Sequence, residues 1–260
     1  VGSERERIPT DDKLQIDRYY TIAKGGGANI NVALVGDNSY FGITAPLAGH
    51  RFRLSAEHYV GNDNYSGILA DGRKYFWMKP FSIAVRGTSY LRWEKQTNSV
   101  YPLYIGNMGF VRGIGSVLNN NVEEIGLTFS QLLGSKMMLG SVELRLPFTG
   151  PKKLSLIPSS FLFSDLNLFL DSGVAFDNFS DWKDGKLIDV IQRDEDGNII
   201  LDIEGNPLYE VINAKPTIVT SVGASLRINL FGALIIEPYY AIPLFQGSRF
   251  RFGLNLIPGW

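Results

Sequence analysis

The sequence predicts an all-β protein: an antiparallel transmembrane β-barrel of twelve strands, with a long loop folded into its lumen. Three observations predict this fold. Apolar and polar residues alternate along most of the chain. The alternating segments run for about 9–13 residues, close to the ~9–11 tilted residues that cross a bilayer and longer than the ~5–6 residues of an average soluble strand. Aromatic residues gather near the ends of these segments.

The alternation is clear in residues 249–258, where Phe250, Phe252 and Leu254 fall on one face and Arg251 falls on the other. Because successive side chains of a strand point to opposite faces, such a segment forms a strand with one apolar and one polar face. The same pattern predicts eleven strands in all. They lie near residues 14–24, 28–36, 39–47, 50–61, 64–76, 81–93, 136–148, 166–176, 217–230, 232–243 and 249–258.

Short segments rich in Gly, Asn and Asp separate many of these strands and predict hairpin turns, so the sheet is an antiparallel meander. The turns are at residues 24–27, 36–38, 47–49, 62–64, 230–232 and 246–248. Two connections are long, residues 94–135 and 177–216, and the second carries a small hairpin at "DEDGN" (194–198). Bacterial barrels usually have even strand numbers, which predicts a twelfth strand, either at Val1–Ile8 or in a segment lost before the start of this chain. The whole chain, 1–260, is then one barrel domain.

The apolar face of each strand can point outward to lipid or inward to a core. The opposite faces carry small residues, arginines and carboxylates, which suit a narrow polar lumen. An arginine on the lipid side at mid-membrane depth would cost about 2–4 kcal/mol, and the apolar faces carry almost none. The outward arrangement is therefore favoured, and a soluble β-barrel carrier with inward aromatic faces is an alternative. Interfacial aromatic girdles are predicted at Phe76, Trp77, Phe81, Trp93, Tyr239, Tyr240 and Trp260.

The arginines on the predicted polar faces have two interpretations. They either attract anions or form salt bridges inside the lumen, and salt bridging is favoured because an unpaired charge in a narrow lumen is costly. The arginines are Arg86, Arg92, Arg145, Arg227, Arg249 and Arg251, and their candidate partners are Glu57, Glu143, Asp171 and Glu237.

Composition excludes several classes of function. The net charge is -1, so no overall field attracts nucleic acid. The chain has no cysteine, which excludes disulfides, thiolate metal sites and thiol nucleophiles. The longest apolar run, residues 230–245, is interrupted by Glu237 and Pro238, so no membrane-spanning helix is predicted. No signal peptide is visible and Val1 is not an initiator, so we expect a mature form or an excised fragment.

Catalytic, metal and cofactor motifs are not found in the sequence. His50 and His58 lack clustered partner ligands, so no metal site is predicted. There is no G-x-S-x-G nucleophile elbow. The segment at 194–198 lacks the later Gly and bidentate Glu of an EF-hand loop. The glycine runs do not precede helices, which argues against phosphate binding at a helix N-terminus. We therefore predict that the protein is not an enzyme and uses no cofactor.

The segment "GFVRGIGS" (109–116) places one charge, Arg112, among glycines and apolar residues. Further segments follow it in a specific order. They are "VRG" (111–113), "SVELRLPF" (141–148), "LFLDSGVAF" (168–176), "SVGASLRINLFGALIIEPYYAIPL" (221–244) and the terminal "RFRFGLNLIPGW". Together they resemble the C-terminal half of the BamA/TpsB superfamily, formerly called bacterial surface antigens. The resemblance covers about residues 50–260.

The resemblance implies roles for two sets of residues. In that superfamily the loop folds back into the lumen and its arginine pairs with acidic residues on the two following strands. Arg112 and Gly113 match the loop, and Glu143 and Asp171 match the acidic positions. The alternation independently places both carboxylates on polar faces. Phe250, Phe252, Leu254 and Trp260 match the C-terminal assembly signal of outer-membrane barrels.

The resemblance also implies a location and a function. Superfamily barrels lie in the bacterial outer membrane and assemble or translocate proteins there, which implies membrane lipid and nascent outer-membrane or secreted proteins as partners. Periplasmic or lipoprotein partners are not specified. This chain departs from the superfamily in two ways. No periplasmic POTRA module fits before residue 14, and the superfamily barrel usually has more strands than this chain can form. A transport pore, or a membrane anchor for a separate soluble domain, is therefore the alternative function.

Overall fold

In the computed structural model the protein is all-β, with almost no helix. It describes residues 2–8, 16–22, 27–61, 64–94, 102–107, 109–114, 127–194, 198–232, 234–245 and 250–258. Within these residues the main element is one large sheet of eleven strands. No helix of this described part is long and apolar enough to cross a membrane.

The strands are β1 (Gly2–Ile8), β2 (Ile16–Ile22), β3 (Ala28–Asp37), β4 (Tyr40–Phe41), β5 (Pro46–Val60), β6 (Tyr65–Met78), β7 (Phe81–Glu94), β8 (Leu103–Tyr104), β9 (Leu133–Gly134), β10 (Lys136–Gly150), β11 (Ile157–Pro158), β12 (Phe163–Phe176), β13 (Lys186–Ile191), β14 (Tyr209–Ala214), β15 (Ile218–Leu230), β16 (Leu234–Pro243) and β17 (Arg251–Pro258). In the described parts of the long connections lie a short α-helix, α1 (Asp181–Asp184), and a 3-10 helix (Phe129–Leu132).

The large sheet is the predicted antiparallel meander. Its order is β17-β16-β15-β12-β10-β7-β6-β5-β3, with β4 beside β5 and the short β11 parallel to β10. Each long strand is therefore hydrogen-bonded to the next long strand along the chain. In the described residues the edge strands β3 and β17 are not paired with each other.

The N-terminal strands differ from the prediction. β1 and β2 pair with each other as a separate two-stranded sheet, with Gly2 opposite Ile22 and Ile8 opposite Ile16. The expectation that residues 14–24 and Val1–Ile8 add two strands to the main sheet is thus wrong for the described residues. Two strands joined by a short connection pair at little loop-closure cost, whereas joining a distant sheet edge costs more.

The predicted strand at 39–47 and the turn at 47–49 are also wrong. β4 spans only two residues, and residues 47–49 lie within β5. Between the two strands Ile43, Thr44 and Ala45 leave the sheet and are buried. The Thr44 hydroxyl donates a hydrogen bond to Asp165 on β12, and the carbonyl of Ile43 accepts one from Asn229 on β15 at 3.0 Å. Contacts across the sheet thus remove this segment from the strand.

The sheet curls so that its polar face is concave. One cavity of about 350 Å³ is lined both by Arg51 of β5 and by Asn255 of β17. These strands are far apart in the sheet order, and at ~4.8 Å per strand a flat sheet would separate them by more than ~30 Å. Arg145 of β10 also donates to the carbonyl of Pro46 on β5, at 3.2 Å.

The sheet buries its polar face and exposes its apolar face, which is the reverse of the burial in a soluble sheet. On β12, Leu168 is 58% exposed on the convex face, and Asp171 is 1% exposed on the concave face. Phe250, just before β17, is 74% exposed, whereas Arg251 is buried. The convex face is thus apolar and open. Its exposed apolar side chains include Phe52, Leu54, Ile68, Phe76, Val85, Val142, Leu144, Leu166, Leu168, Leu170, Tyr240, Phe252 and Leu256.

An apolar cluster fixes the first long connection onto the sheet. Ile105, Val111, Ile114, Leu127 and Leu132 of the connection are buried, and they pack with residues of the sheet. The partner residues are Met137, Leu139, Ala175 and Val219. The segment carrying Arg112 is therefore held against the concave face by apolar contacts on both sides of the arginine.

The second long connection contains a hairpin that the alternation did not predict, β13 with β14. Isolated bridges extend it, pairing Arg193 with Ile199 and Leu201 with Pro207. The predicted hairpin at 194–198 falls at the first of these bridges, and residues 195–197 lie outside the described part. The pKa of Asp202 is lowered because backbone N–H groups of the following turn, first that of Asn206, hydrogen-bond to its carboxylate.

Candidate functional site: a buried ion cluster on the concave face

Glycines and apolar residues let the tip of the first connection, residues 109–114, approach the sheet closely. Gly109 and Gly113 have φ angles of 83° and 86°, in the left-handed region that glycine adopts without strain. A Cβ on Gly113 would lie 2.7 Å from the Cβ of Ala241, so this position needs glycine for space as well. Val111 and Ile114 are buried on either side. Arg112 is thereby directed at the sheet.

Asp171 binds Arg112 through both carboxylate oxygens. Nε of Arg112 donates to Oδ2 at 2.7 Å and Nη2 donates to Oδ1 at 2.8 Å, which is the bidentate geometry that arginine forms with carboxylates. The backbone N–H of Arg112 also donates to Oδ2, at 3.2 Å. Ser141 donates to Oδ1 at 2.6 Å. The carboxylate is thus held by charge-assisted bonds on both oxygens.

An aromatic ring covers the guanidinium from one side. The Cζ atom of Arg112 lies 3.6 Å from the ring centroid of Phe169, a cation–π contact. Tyr239 packs edge-on against Phe169, with the ring centroids 6.3 Å apart, and both rings are buried. The two rings therefore shield the ion pair from water.

Two further carboxylates complete the coordination of Arg112. Nη2 lies 2.7 Å from Oε1 of Glu143 on β10, and Nη1 lies 3.0 Å from Oε1 of Glu237 on β16. Asn255 and Ser225 donate to Glu237 at 3.1 and 2.8 Å. The tip of one connection is thus bound to β10, β12 and β16 by a single side chain.

Two more arginines balance the charge. Arg145 binds Glu143 at 2.6 Å, and Arg227 lies 2.8 Å from Glu143 and 3.0 Å from Glu237. The Arg112 cluster therefore contains three cations and three anions, all buried. Its members are Arg112, Arg145, Arg227, Glu143, Asp171 and Glu237.

The charge state of Arg112 is set by opposing effects. Burial by itself lowers the pKa of a guanidinium, but the hydrogen bonds to Asp171 and the charges of Glu143 and Glu237 outweigh it and raise the pKa above its usual value. Arg112 therefore remains a cation. Removing one partner of such a buried pair typically costs about 3–5 kcal/mol, since the remaining charge is left without compensation.

The structure brings Arg112, Gly113, Glu143 and Asp171 together, as the sequence analysis placed them. Glu237, Arg227 and Arg145 also bind within this cluster, and they were predicted as salt-bridging residues of the polar face without specific pairs. The alternation predicted that these side chains lie on the polar face. It could not predict which residues of other strands they contact.

The other predicted interior charges are mostly paired as well. Arg86 binds Asp71 at 3.1 Å, and Arg92 binds Glu94 at 2.6 Å. Glu57 accepts a hydrogen bond from Tyr90. Arg249 lies outside the described residues.

The structure gives the positions of residues from the predicted C-terminal signal and from the predicted aromatic girdles. Phe250 and Phe252 of the predicted C-terminal signal are exposed on the convex face, Leu254 is half-buried, and Trp260 lies outside the described residues. The prediction that Tyr239 belongs to an interfacial girdle is wrong, because its side chain is buried on the concave face. It lies two residues after Glu237 on the same strand, so both side chains point the same way.

The cluster offers no acid–base or metal chemistry. Each of its carboxylates is bound by arginines, so none is free to move a proton. In the part of the chain that the structure describes, no group of three or more His, Asp or Glu side chains could hold a metal ion. His50 and His58 are exposed. What the arrangement can do is fix a loop on a curved sheet.

Comparison with protein-family models gives no match to the chain. Comparison with curated proteins gives no match either.

Proposed function

We propose that this chain is a transmembrane β-barrel of the bacterial outer membrane that assists the assembly or translocation of other proteins. The observation that carries the membrane part is the reversed burial of the sheet, with leucine, valine and phenylalanine open on the convex face and the charged Arg112 cluster buried on the concave face. Assembly or translocation rests on the resemblance to the BamA/TpsB superfamily.

Hydrocarbon is the solvent that suits the convex face. Monomeric soluble proteins rarely expose a contiguous apolar patch larger than a few hundred Å². Here exposed apolar side chains continue across the long strands of the sheet, among them Leu54, Ile68, Val85, Leu144 and Leu168. A membrane barrel has this pattern, with an apolar exterior and a polar interior.

A membrane location requires the sheet to close. Lipid leaves the N–H and C=O groups of an open edge without partners, so β3 and β17 would have to be paired in the bilayer. The apolar side chains Ile30, Val32, Leu34 and Val35 of β3 are all exposed. In this proposal β3 meets β17 at a weakly closed seam, and the Arg112 cluster keeps the first connection inside the lumen.

Depletion of the protein from its native bacterium tests the assembly function. We expect the amounts of other outer-membrane barrels, measured by quantitative mass spectrometry of isolated membranes, to fall. Wild-type protein and the control variant Lys183→Ala, which changes an exposed side chain of α1, should restore them, whereas Arg112→Ala should not. Unchanged amounts of other barrels after depletion would reject the assembly function.

A transport pore is the second candidate, and the concave-face cavities favour it. Cavities of about 350 and 510 Å³ are both lined by charged side chains. Conductance in planar bilayers tests this candidate. Deleting residues 106–118, which contain the loop tip, should raise the conductance of a pore. No conductance in either form would reject it.

A further inference from the structure

Three arginines lie side by side across three neighbouring strands of the concave face. In the strand register Arg51 of β5 is directly opposite Arg73 of β6, and Arg73 is directly opposite Arg86 of β7. Side chains in such positions have Cβ atoms about 4.5–5.5 Å apart, and like charges directly opposite one another are destabilising. This arginine row therefore needs negative charge nearby.

Two aspartates of the described residues contact this row. The carboxylate of Asp71 is shared between two members of the row, at 2.7 Å from Arg73 and 3.1 Å from Arg86. Arg51 lies 3.8 Å from Asp37. A fourth arginine, Arg53, is directly opposite Asp71 in the register. Among the described residues, the cavity of about 510 Å³ is lined by four arginines, Arg51, Arg53, Arg73 and Arg86, and by two carboxylates, Glu57 and Asp71, whereas the Arg112 cluster has three charges of each sign.

The arginine row is also accessible. Arg51, Arg73 and Arg86 all line both the cavity of about 350 Å³ and the cavity of about 510 Å³. Their side chains are 37%, 34% and 30% exposed. A molecule that enters either cavity therefore meets guanidinium groups that are not fully enclosed by protein.

We propose that the arginine row binds an oxyanion, a phosphate or carboxylate group carried by a molecule that fits these cavities. Guanidinium groups bind both oxyanions with paired N–H donors. The ligand would add negative charge to a cavity whose described lining carries more arginines than carboxylates. Arg86 also donates to the carbonyl of Gly109 at 3.3 Å, so the site touches the loop tip. This proposal does not depend on a membrane location.

Calorimetric titration of the purified full chain with inorganic phosphate, and separately with succinate, tests the proposal at fixed ionic strength set with sodium chloride. We expect saturable binding of at least one of the two anions. Arg73→Gln should weaken it by about tenfold or more, because charge-assisted hydrogen bonds are lost. Lys74→Gln is the matched control, since Lys74 is the next residue on the same strand and points to the opposite face.

Arg51→Gln gives a second, independent variant, because Arg73 also binds Asp71 and its loss could disturb folding. Arg51→Gln should weaken binding in the same way while the thermal unfolding midpoint without anion changes little. Phosphate binding alone assigns the site to phosphate groups, and succinate binding alone assigns it to carboxylates. No saturable binding of either anion, or an equal loss in Lys74→Gln, would overturn the proposal.

Discussion

Arg112 and Asp171 are 59 residues apart in the chain, yet they form three hydrogen bonds, two from the guanidinium and one from the backbone N–H of Arg112. The backbone bond fixes the loop, and the bidentate pair fixes the side chain. Because both groups are buried, neither can exchange its partner for water at low cost. The pair therefore binds the first connection to β12.

Removing either partner should destabilise the fold, and removing both should cost less than the sum. We expect Arg112→Ala and Asp171→Ala each to lower the free energy of unfolding by about 3–5 kcal/mol, because each leaves a buried charge without its partner. Chemical unfolding of the singles and the double measures the coupling. Lys183→Ala should stay within about 0.5 kcal/mol of wild type. Fully additive losses would show that the two residues do not act as a pair.

Arg112→Lys separates charge from geometry. Lysine keeps the positive charge but has no planar fork for a bidentate carboxylate contact. We expect an unfolding free energy between those of wild type and Arg112→Ala. A value equal to wild type would mean that charge alone is sufficient, contrary to the bidentate geometry in the structure.

The charge balance of the Arg112 cluster can be tested with Glu237. Glu237→Gln leaves three arginines facing two carboxylates, and we expect a loss of about 3–5 kcal/mol. Adding Arg227→Gln restores equal numbers of cations and anions, so the double variant should lose less than the two single losses combined. Thermal unfolding at matched salt gives the comparison. If the second substitution adds its full single loss, charge balance is not what stabilises the cluster.

Gly113 should tolerate alanine worse than Gly109 does. Both have positive φ angles, so each alanine variant incurs a backbone penalty of about 1–2 kcal/mol. Only Gly113 also lacks room, since its Cβ would meet Ala241 at 2.7 Å, whereas Gly109 has open space there. We expect faster proteolysis within residues 102–114 in Gly113→Ala than in Gly109→Ala. Equal cleavage rates would contradict the close approach of the loop tip.

The strands of the large sheet were predictable because its two faces differ so strongly in polarity. The segment predicted at 81–93 is the strand Phe81–Glu94, and that predicted at 166–176 lies within Phe163–Phe176. Period-two alternation also gave the face on which Glu143 and Asp171 lie. The bounds of a strand and the face of each side chain depend on the local pattern, so one segment is enough to predict them.

What could not be predicted depends on curvature and on residues distant in sequence. Ile43, Thr44 and Ala45 alternate like a strand, but they leave the sheet to pack across its concave face. Glu237 meets Arg112 only because the strand register and the curl of the sheet bring β16 next to the loop tip. Alternation gives the face of a residue and not its neighbours on other strands.

The cost of a charge on the convex face depends on the solvent that covers it. Leu168→Arg should reduce the stability of protein refolded into phospholipid vesicles by about 2–4 kcal/mol, as expected for arginine near the bilayer midplane. Ile203→Arg is the control, because Ile203 is fully exposed in the second long connection. Unfolding in urea with intact vesicles measures both. Equal effects of the two substitutions would argue against lipid at Leu168.

Site-directed spin labelling tests most directly whether the convex face meets hydrocarbon. The chain has no cysteine, so single cysteines in place of Leu168, Leu144 and Ile203 can each carry one nitroxide. The accessibility of each nitroxide to lipid-soluble oxygen and to a water-soluble nickel complex is then measured in vesicles. We predict that labels at 168 and 144 collide mainly with oxygen and the label at 203 mainly with nickel. Nickel accessibility at 168 and 144 as high as at 203 would contradict it.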